Sequence, residues 1–138
     1  MAKHILYNGS VVLNSVDLSD HVESVEFTLG INGQPAAAMA DIQDYEMPGT
    51  QVVSDITLNM YQDFAASKTY QTLKTLYDNR TTFNAVLKAD AGATASTNPQ
   101  FTIAVFIKSL PVISGSRGDR HMAQVVLGPA GLLATATS

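Results

Sequence analysis

The 138-residue chain contains no cysteine and no tryptophan, and only 14% of its residues are charged. Without thiols there is no thiolate metal site, no cysteine nucleophile and no disulfide staple, so folding rests on packing alone. The charged fraction lies below the roughly 25% usual for soluble domains, while 46% of the residues are hydrophobic. An isolated monomer would therefore present an unusually uncharged surface, which points to surface destined for burial. Long apolar runs are missing as well. Ile5-Leu6-Tyr7 passes directly into Asn8-Gly9-Ser10, too short a stretch for a signal peptide or a membrane span. A cytoplasmic product with no membrane association is expected.

The chain also lacks the signatures of catalysis. His4, His21 and His121 sit at element edges, no serine lies in a nucleophile elbow, and there is no phosphate-binding loop, so no catalytic or cofactor-binding residue is assigned and an enzyme is not expected. His21 beside Asp17 and Asp20 has no defined ligand geometry. Asp41, Asp44 and Glu46 lack the glycine and the regular alternation of a calcium loop. No metal and no cofactor is expected. Arg117-Gly118-Asp119 reads as a turn, and the glycosylation-like Asn8-Gly9-Ser10 and Asn79-Arg80-Thr81 read as turn residues without a secretion signal.

A net charge of −4 argues against a DNA-binding face of the usual basic kind. The charge is uneven. Residues 1–63 carry Lys3 against nine acids, net −8, and the remainder is net +4, so the two halves can complement one another between molecules.

What is present reads mainly as β-structure. A short strand is expected at 10–15, then a turn at Asp17-Leu18-Ser19-Asp20-His21, then a strand at 22–29 with Val25, Phe27 and Leu29 on one face. Gly30–Gly49 forms no regular element by pattern. A connection of that length is expected to make contacts, because Ile31, Met39, Ile42, Tyr45 and Met47 are unlike a disordered linker. A strand at 51–62 places Ile56, Leu58 and Met60 opposite Asp55, Thr57, Asn59 and Tyr61. Asp63 or Ser67 then caps a helix over about 64–78 with a stripe of Tyr70, Leu73, Leu76 and Tyr77, ended by a left-handed Asn79. Strands follow at 81–88, 100–113 and 120–128, the last with Ala123, Val125 and Leu127 on one side. The strand at 100–113 is apolar on both faces, through Phe101, Ile103, Val105 and Ile107 and through Ala104 and Phe106, so its second face needs a cover. Ala130–Ser138 is expected to be a flexible tail or an arm on a neighbour. The sum is a single mainly-β domain over 1–138, an antiparallel β-sandwich or partly open barrel with one flanking α-helix, a long contact loop at 30–49 and a C-terminal arm at 129–138.

The opening Val16-Asp17-Leu18-Ser19-Asp20-His21-Val22-Glu23-Ser24-Val25 and the closing block from Asn98-Pro99-Gln100-Phe101 through Gly115-Ser116-Arg117-Gly118-Asp119 resemble the tail tube proteins of long-tailed bacteriophages, related in fold to the tubes of contractile tails and type VI secretion. The resemblance implies a structural virion protein, made in the host cytoplasm, that assembles into stacked homohexameric rings. DNA would cross their lumen during ejection without specific binding. Implied partners are the tape measure protein, the tail terminator and the baseplate or tip proteins. The inter-ring contact would use Ile31, Met39, Asp41, Ile42, Asp44, Tyr45, Glu46 and Met47, and the intersubunit sheet Asp55, Thr57, Asn59 and Lys108. Alternatives are a tail terminator, a capsid decoration protein, and a monomeric β-sandwich binding module, against which the missing tryptophan counts.

Overall fold

A computed structural model describes residues 9–66 and 68–137. The elements run in order as β1 (Ser10–Leu13), β2 (Val16–Asp17), a 3-10 turn (Ser19–His21), β3 (Val22–Glu26), β4 (Leu29–Pro35), β5 (Glu46–Val53), β6 (Ile56–Tyr61), α1 (Thr69–Asn79), β7 (Phe83–Lys88), β8 (Gln100–Ser109), β9 (Met122–Pro129) and β10 (Ala134–Ala136). Eight strands form one antiparallel sheet in the order β2-β1-β7-β8-β9-β6-β3, with β10 also on β8, while β4 and β5 form a separate two-stranded ribbon. The mainly-β antiparallel architecture with one helix is as expected, and the sheet stays open rather than closing into a barrel.

Period-two alternation selects the buried face. Ile56, Leu58 and Met60 on β6, Ala123, Val125 and Leu127 on β9, Ile103 and Val105 on β8, and Phe83, Ala85 and Leu87 on β7 are all buried. Helix α1 covers this face with Thr69, Leu73 and Leu76. Thr69 is the one buried polar residue among those described, and its hydroxyl donates to the Tyr61 carbonyl at 3.0 Å, which removes the cost of an unpaired buried polar group. Phe27, just past β3, meets Phe101 of β8 with ring centroids 6.1 Å apart, so the sheet curls around its core.

Several elements differ from their sequence readings. The strand expected at 51–62 is two strands, broken at Ser54-Asp55, because β5 belongs to the ribbon and β6 to the main sheet. Ser54 N–H donates to the Thr28 carbonyl at 3.0 Å, just where the ribbon leaves the sheet. The helix begins at Thr69 rather than 64. Asp63 organises the turn before it, accepting Ala65 N–H on its carboxylate at 2.9 Å and Tyr70 N–H on its carbonyl at 3.0 Å. The other capping candidate, Ser67, lies outside the described residues, as do His4 and Asn8.

Tyr77 is 51% exposed and leaves the apolar stripe, its place taken by Thr69. The left-handed residue is Arg80, φ 52°, not Asn79, and its N–H reaches the Leu76 and Tyr77 carbonyls. Strand β8 stops at Ser109, where the Gln62 side-chain amide holds the carbonyls of Pro111 and Val112, each at 3.0 Å. Residues 134–136, expected in a flexible tail or an arm, pair with β8 of their own chain, with Ala134 opposite Thr102.

Part of the second face of β8 is covered from within. Phe106 lies across Gly128 of the paired strand β9, so closely that a Cβ at Gly128 would stand 2.7 Å from its ring. Glycine is the residue that admits such an approach. Phe106 itself remains 39% exposed.

Candidate assembly surfaces

The Gly30–Gly49 segment is not an irregular loop but the greater part of a β-hairpin. Leu29 pairs with Val53, Gly30 with Val52 and Ile31 with Gln51; after a register shift, Gly33 pairs with Pro48 and Pro35 with Glu46. Gly49 sits opposite the shift, where an added Cβ would fall 2.6 Å from the Asn32 carbonyl. At the tip, Ala36 N–H donates to the Tyr45 carbonyl at 3.1 Å, and the Asp41 carboxylate accepts Ala38 N–H at 2.6 Å. The ribbon escaped sequence reading because both of its faces are exposed, so no inward and outward alternation marks it.

All eight residues assigned to the contact loop lie on this hairpin: Ile31 on β4, Met39, Asp41, Ile42, Asp44 and Tyr45 at the tip, and Glu46 and Met47 on β5. Met39 and Ile42 are fully exposed, and Leu29, Ile31, Tyr45 and Met47 are each more than half exposed. A lone two-stranded ribbon is marginally stable, and a run of exposed apolar side chains of this kind marks an interaction surface.

The two flanks of the main sheet are unequal. On the β1 side the Asp17-Leu18-Ser19 turn satisfies the strand: Val11 N–H donates to the Ser19 hydroxyl at 2.9 Å, and Leu18 N–H donates to the Val11 carbonyl at 3.0 Å. Asp17 holds that hydroxyl and the Ser19 N–H on a single carboxylate oxygen, at 2.5 and 2.9 Å, and Leu18 is wholly buried. At the other flank, β3 pairs with β6 on one side and, among the described residues, with nothing on the other. Among the described residues β3 is therefore the longest strand with a free edge; the two-residue β2 and the three-residue β10 also pair on one side only.

Asp55, Thr57, Asn59 and Lys108, the residues assigned to an intersubunit sheet, do not lie on that edge: Thr57 and Asn59 are on β6 and Lys108 on β8, both interior strands, and Asp55 is in the break before β6. Thr57 and Asn59 point to the outer face of the sheet, where the Asn59 side-chain amide donates to the Ser24 hydroxyl at 2.7 Å. Asp55 and Lys108 pair with each other at 2.9 Å. Sequence alternation identified the polar face, whereas edge or interior is a property of strand order.

Below the open edge, His21 ties the 3-10 turn to the end of β6. Its Nδ1 lies 2.8 Å from Asp20 and its Nε2 lies 2.9 Å from Asp63. With a carboxylate at each nitrogen both must donate, which only the imidazolium can do. The hydrogen bond to Asp20 leads in raising the His21 pKa above 6.5, against the opposing effect of burial and with help from Asp63. Asp20 is lowered chiefly by its bond to His21, and Asp63 by the Ala65 N–H and then by His21. Lys68, 3.5 Å from Asp20, is the other cation in the cluster.

A raised histidine stabilises the fold fully below its unfolded value and loses that contribution as pH rises through its folded value. The lowered carboxylates contribute above their unfolded value of 3.8 and lose it as pH falls through their folded values. The stability difference between the wild type and His21→Asn is therefore expected to be largest between about pH 4 and 6.5 and to shrink toward pH 9. Urea denaturation at pH 5, 7 and 9 measures it, and a difference independent of pH would show that the ring is uncharged. Among the described residues no group of three histidine, aspartate or glutamate side chains forms a metal site.

No protein-family model and no curated protein matches the sequence. Solved structures match the fold. A chain from the virion of a native gene transfer agent particle superposes with a TM-score of 0.72 at 9% identity, over 94% of this chain and 96% of that one. A chain of the sheath/tube terminator of the PVC extracellular contractile injection system gives 0.68 at 15% identity, over 99% of both. The tube-terminating cap of the anti-feeding prophage gives 0.69 at 13% identity, over 100% of this chain and 95% of that one.

Proposed function

We propose, from the tail-tube-related fold that this chain shares with those structures, that it is a structural subunit of a phage-type tail which assembles with copies of itself into hexameric rings stacked as a tube. The observation that carries the reading is the pairing of one open sheet edge, β3, with an exposed apolar hairpin that buries almost nothing of itself. Open backbone donors and acceptors favour lateral joining of sheets, and ring closure removes the hazard of a free edge. The hairpin then serves contact along the tube axis.

The outer sheet face fits a lumen. Thr57 and Asn59 on β6, Gln124 on β9 and Asn84 on β7 share it with charges of both signs, Glu26 opposite Thr57 and Lys88 and Lys108 on β7 and β8. The Lys108 charge on this face is met by Asp55. Phosphates slide along such a wall without the counterion release that rings of lysine and arginine would drive. The virion tail as location, DNA passage during ejection, and a tape measure protein, terminator and baseplate as neighbours all belong to this reading.

The second reading is a terminator or cap, favoured by the likeness to two terminating structures. Negative-stain electron microscopy of purified protein at rising concentration separates the two. Hollow tubes are expected. Rings that never stack would assign a terminator, and a persistent monomer would overturn both.

A further inference from the structure

We infer that the hairpin tip of one copy seats in the groove between the C-terminal end of α1 and β8 of a second copy, with Asp44 meeting Arg80. This rests on the reading that the chain assembles through its hairpin and specifies the surface that receives it.

The tip carries Met39 and Ile42, both fully exposed. Among its acids, Asp41 is occupied in holding the turn, and Glu46 folds over Gly33 of its own ribbon. Asp44 has no hydrogen-bond or ion-pair partner among the described residues. The tip is thus two apolar side chains beside one uncommitted negative charge.

The groove has the matching composition. It encloses about 540 Å³ and is lined by Leu76, Tyr77, Arg80, Thr82, Phe106 and Ile107 among others. That is room for several side chains, within the roughly 300–1,000 Å³ range of binding clefts. Tyr77 and Phe106 are 51% and 39% exposed, the aromatic surface α1 and β8 leave uncovered. Of the charges at the groove, Asp78 is already paired with Lys74 at 2.6 Å. The Arg80 guanidinium has no carboxylate partner among the described residues, so the net uncommitted charge is positive.

Arg80 is also well placed. Its N–H to the Leu76 and Tyr77 carbonyls fixes its backbone at the end of the helix, which holds the root of the side chain at the rim. Burial of Met39 and Ile42 against the two aromatics supplies the attraction, and the single charge pair sets the register of the tip in the groove.

The test is a charge exchange. Sedimentation gives the critical concentration for assembly of the wild type, Arg80→Asp, Asp44→Arg and the double exchange, with electron microscopy to confirm the product. Each single change is expected to raise the critical concentration about tenfold or more, and the double exchange to bring it back toward wild type. Arg80→Gly retains the left-handed turn, so its fold is preserved while assembly weakens. Arg117→Glu, in the exposed turn after β8, serves as a control expected to change nothing. If the wild type assembles and Arg80→Asp assembles equally well, or if the exchange fails to restore assembly, this docking is overturned and tube formation stands. A wild type that stays monomeric would overturn the assembly reading itself.

Discussion

Excising residues 32–50 and joining Ile31 to Gln51 through a two-residue Asn-Gly turn is expected to abolish stacking of the protein into tubes while leaving its thermal unfolding midpoint nearly unchanged. The Leu29–Val53, Gly30–Val52 and Ile31–Gln51 pairs survive the excision, and Asn-Gly suits the tight turn that such an antiparallel pair needs. No residue between 32 and 50 belongs to the buried core, and apart from the half-buried Ala36 all of them are exposed. The lost segment therefore contributes little to holding the domain together. It carries Met39, Ile42, Tyr45 and Met47, whose exposed apolar surface has no other use in the monomer. Circular dichroism melts and electron microscopy of the same preparation read both quantities. A large fall in midpoint would show that the hairpin supports the core, and tubes that persist would remove it from the assembly contact.

Leu58→Ala should act in the opposite way. Leu58 is wholly buried in the middle of β6, opposite Val125 on β9 and Val25 on β3. Truncation loses the transfer free energy of the removed atoms and leaves a cavity between three strands that cannot collapse independently, a cost of about 2–5 kcal/mol. Against a total of about 5–15 kcal/mol for a domain of this kind, the loss decides whether the fold persists at physiological temperature. Its neighbour Asn59 faces outward and offers a contrast: Asn59→Ala loses only the hydrogen bond to Ser24, about 0.5–1.5 kcal/mol. Urea midpoints with an unchanged m-value measure the pair. A loss below about 1 kcal/mol for Leu58→Ala would contradict the central place of β6 in the core.

Much of this core was legible along the chain. Ile56, Leu58 and Met60 alternate with Thr57 and Asn59, and Ala123, Val125 and Leu127 with Gln124 and Val126, and both runs fold with the expected residues inside. Half-burial of a strand imposes period two, so the pattern and its cause are both local. The helix was legible in its middle and not at its ends. Leu73 and Leu76 are buried as their spacing requires, but the start depends on how Asp63 folds the preceding turn, and the end on Arg80 adopting a conformation more usual for glycine or asparagine.

The hairpin was legible only as composition. The apolar residues of 31–47 set it apart from a disordered linker, but a ribbon exposed on both faces has no burial to impress a period on its sequence, and its pairing depends on which distant backbone lies opposite. The same limit explains Asp55, Thr57, Asn59 and Lys108. Their polarity predicted an outward face, yet whether a strand is an edge is decided by neighbours drawn from far along the chain, here β9 and β3 beside β6.

The sequence by itself determined the class of protein: a sparsely charged, cysteine-free, mainly-β chain without catalytic motifs, with its buried residues spelled out by alternation. Those properties follow from interactions between each residue and its immediate environment, which composition and periodicity record. Only the tertiary structure decided that Gly30–Gly49 stands out as a ribbon, that the Asp17-Leu18-Ser19 turn seals one flank while β3 stays open, and that Arg80, Tyr77 and Phe106 share one groove. Each of those depends on long-range strand order and on the curvature of one sheet, and no local pattern encodes which remote segments will meet.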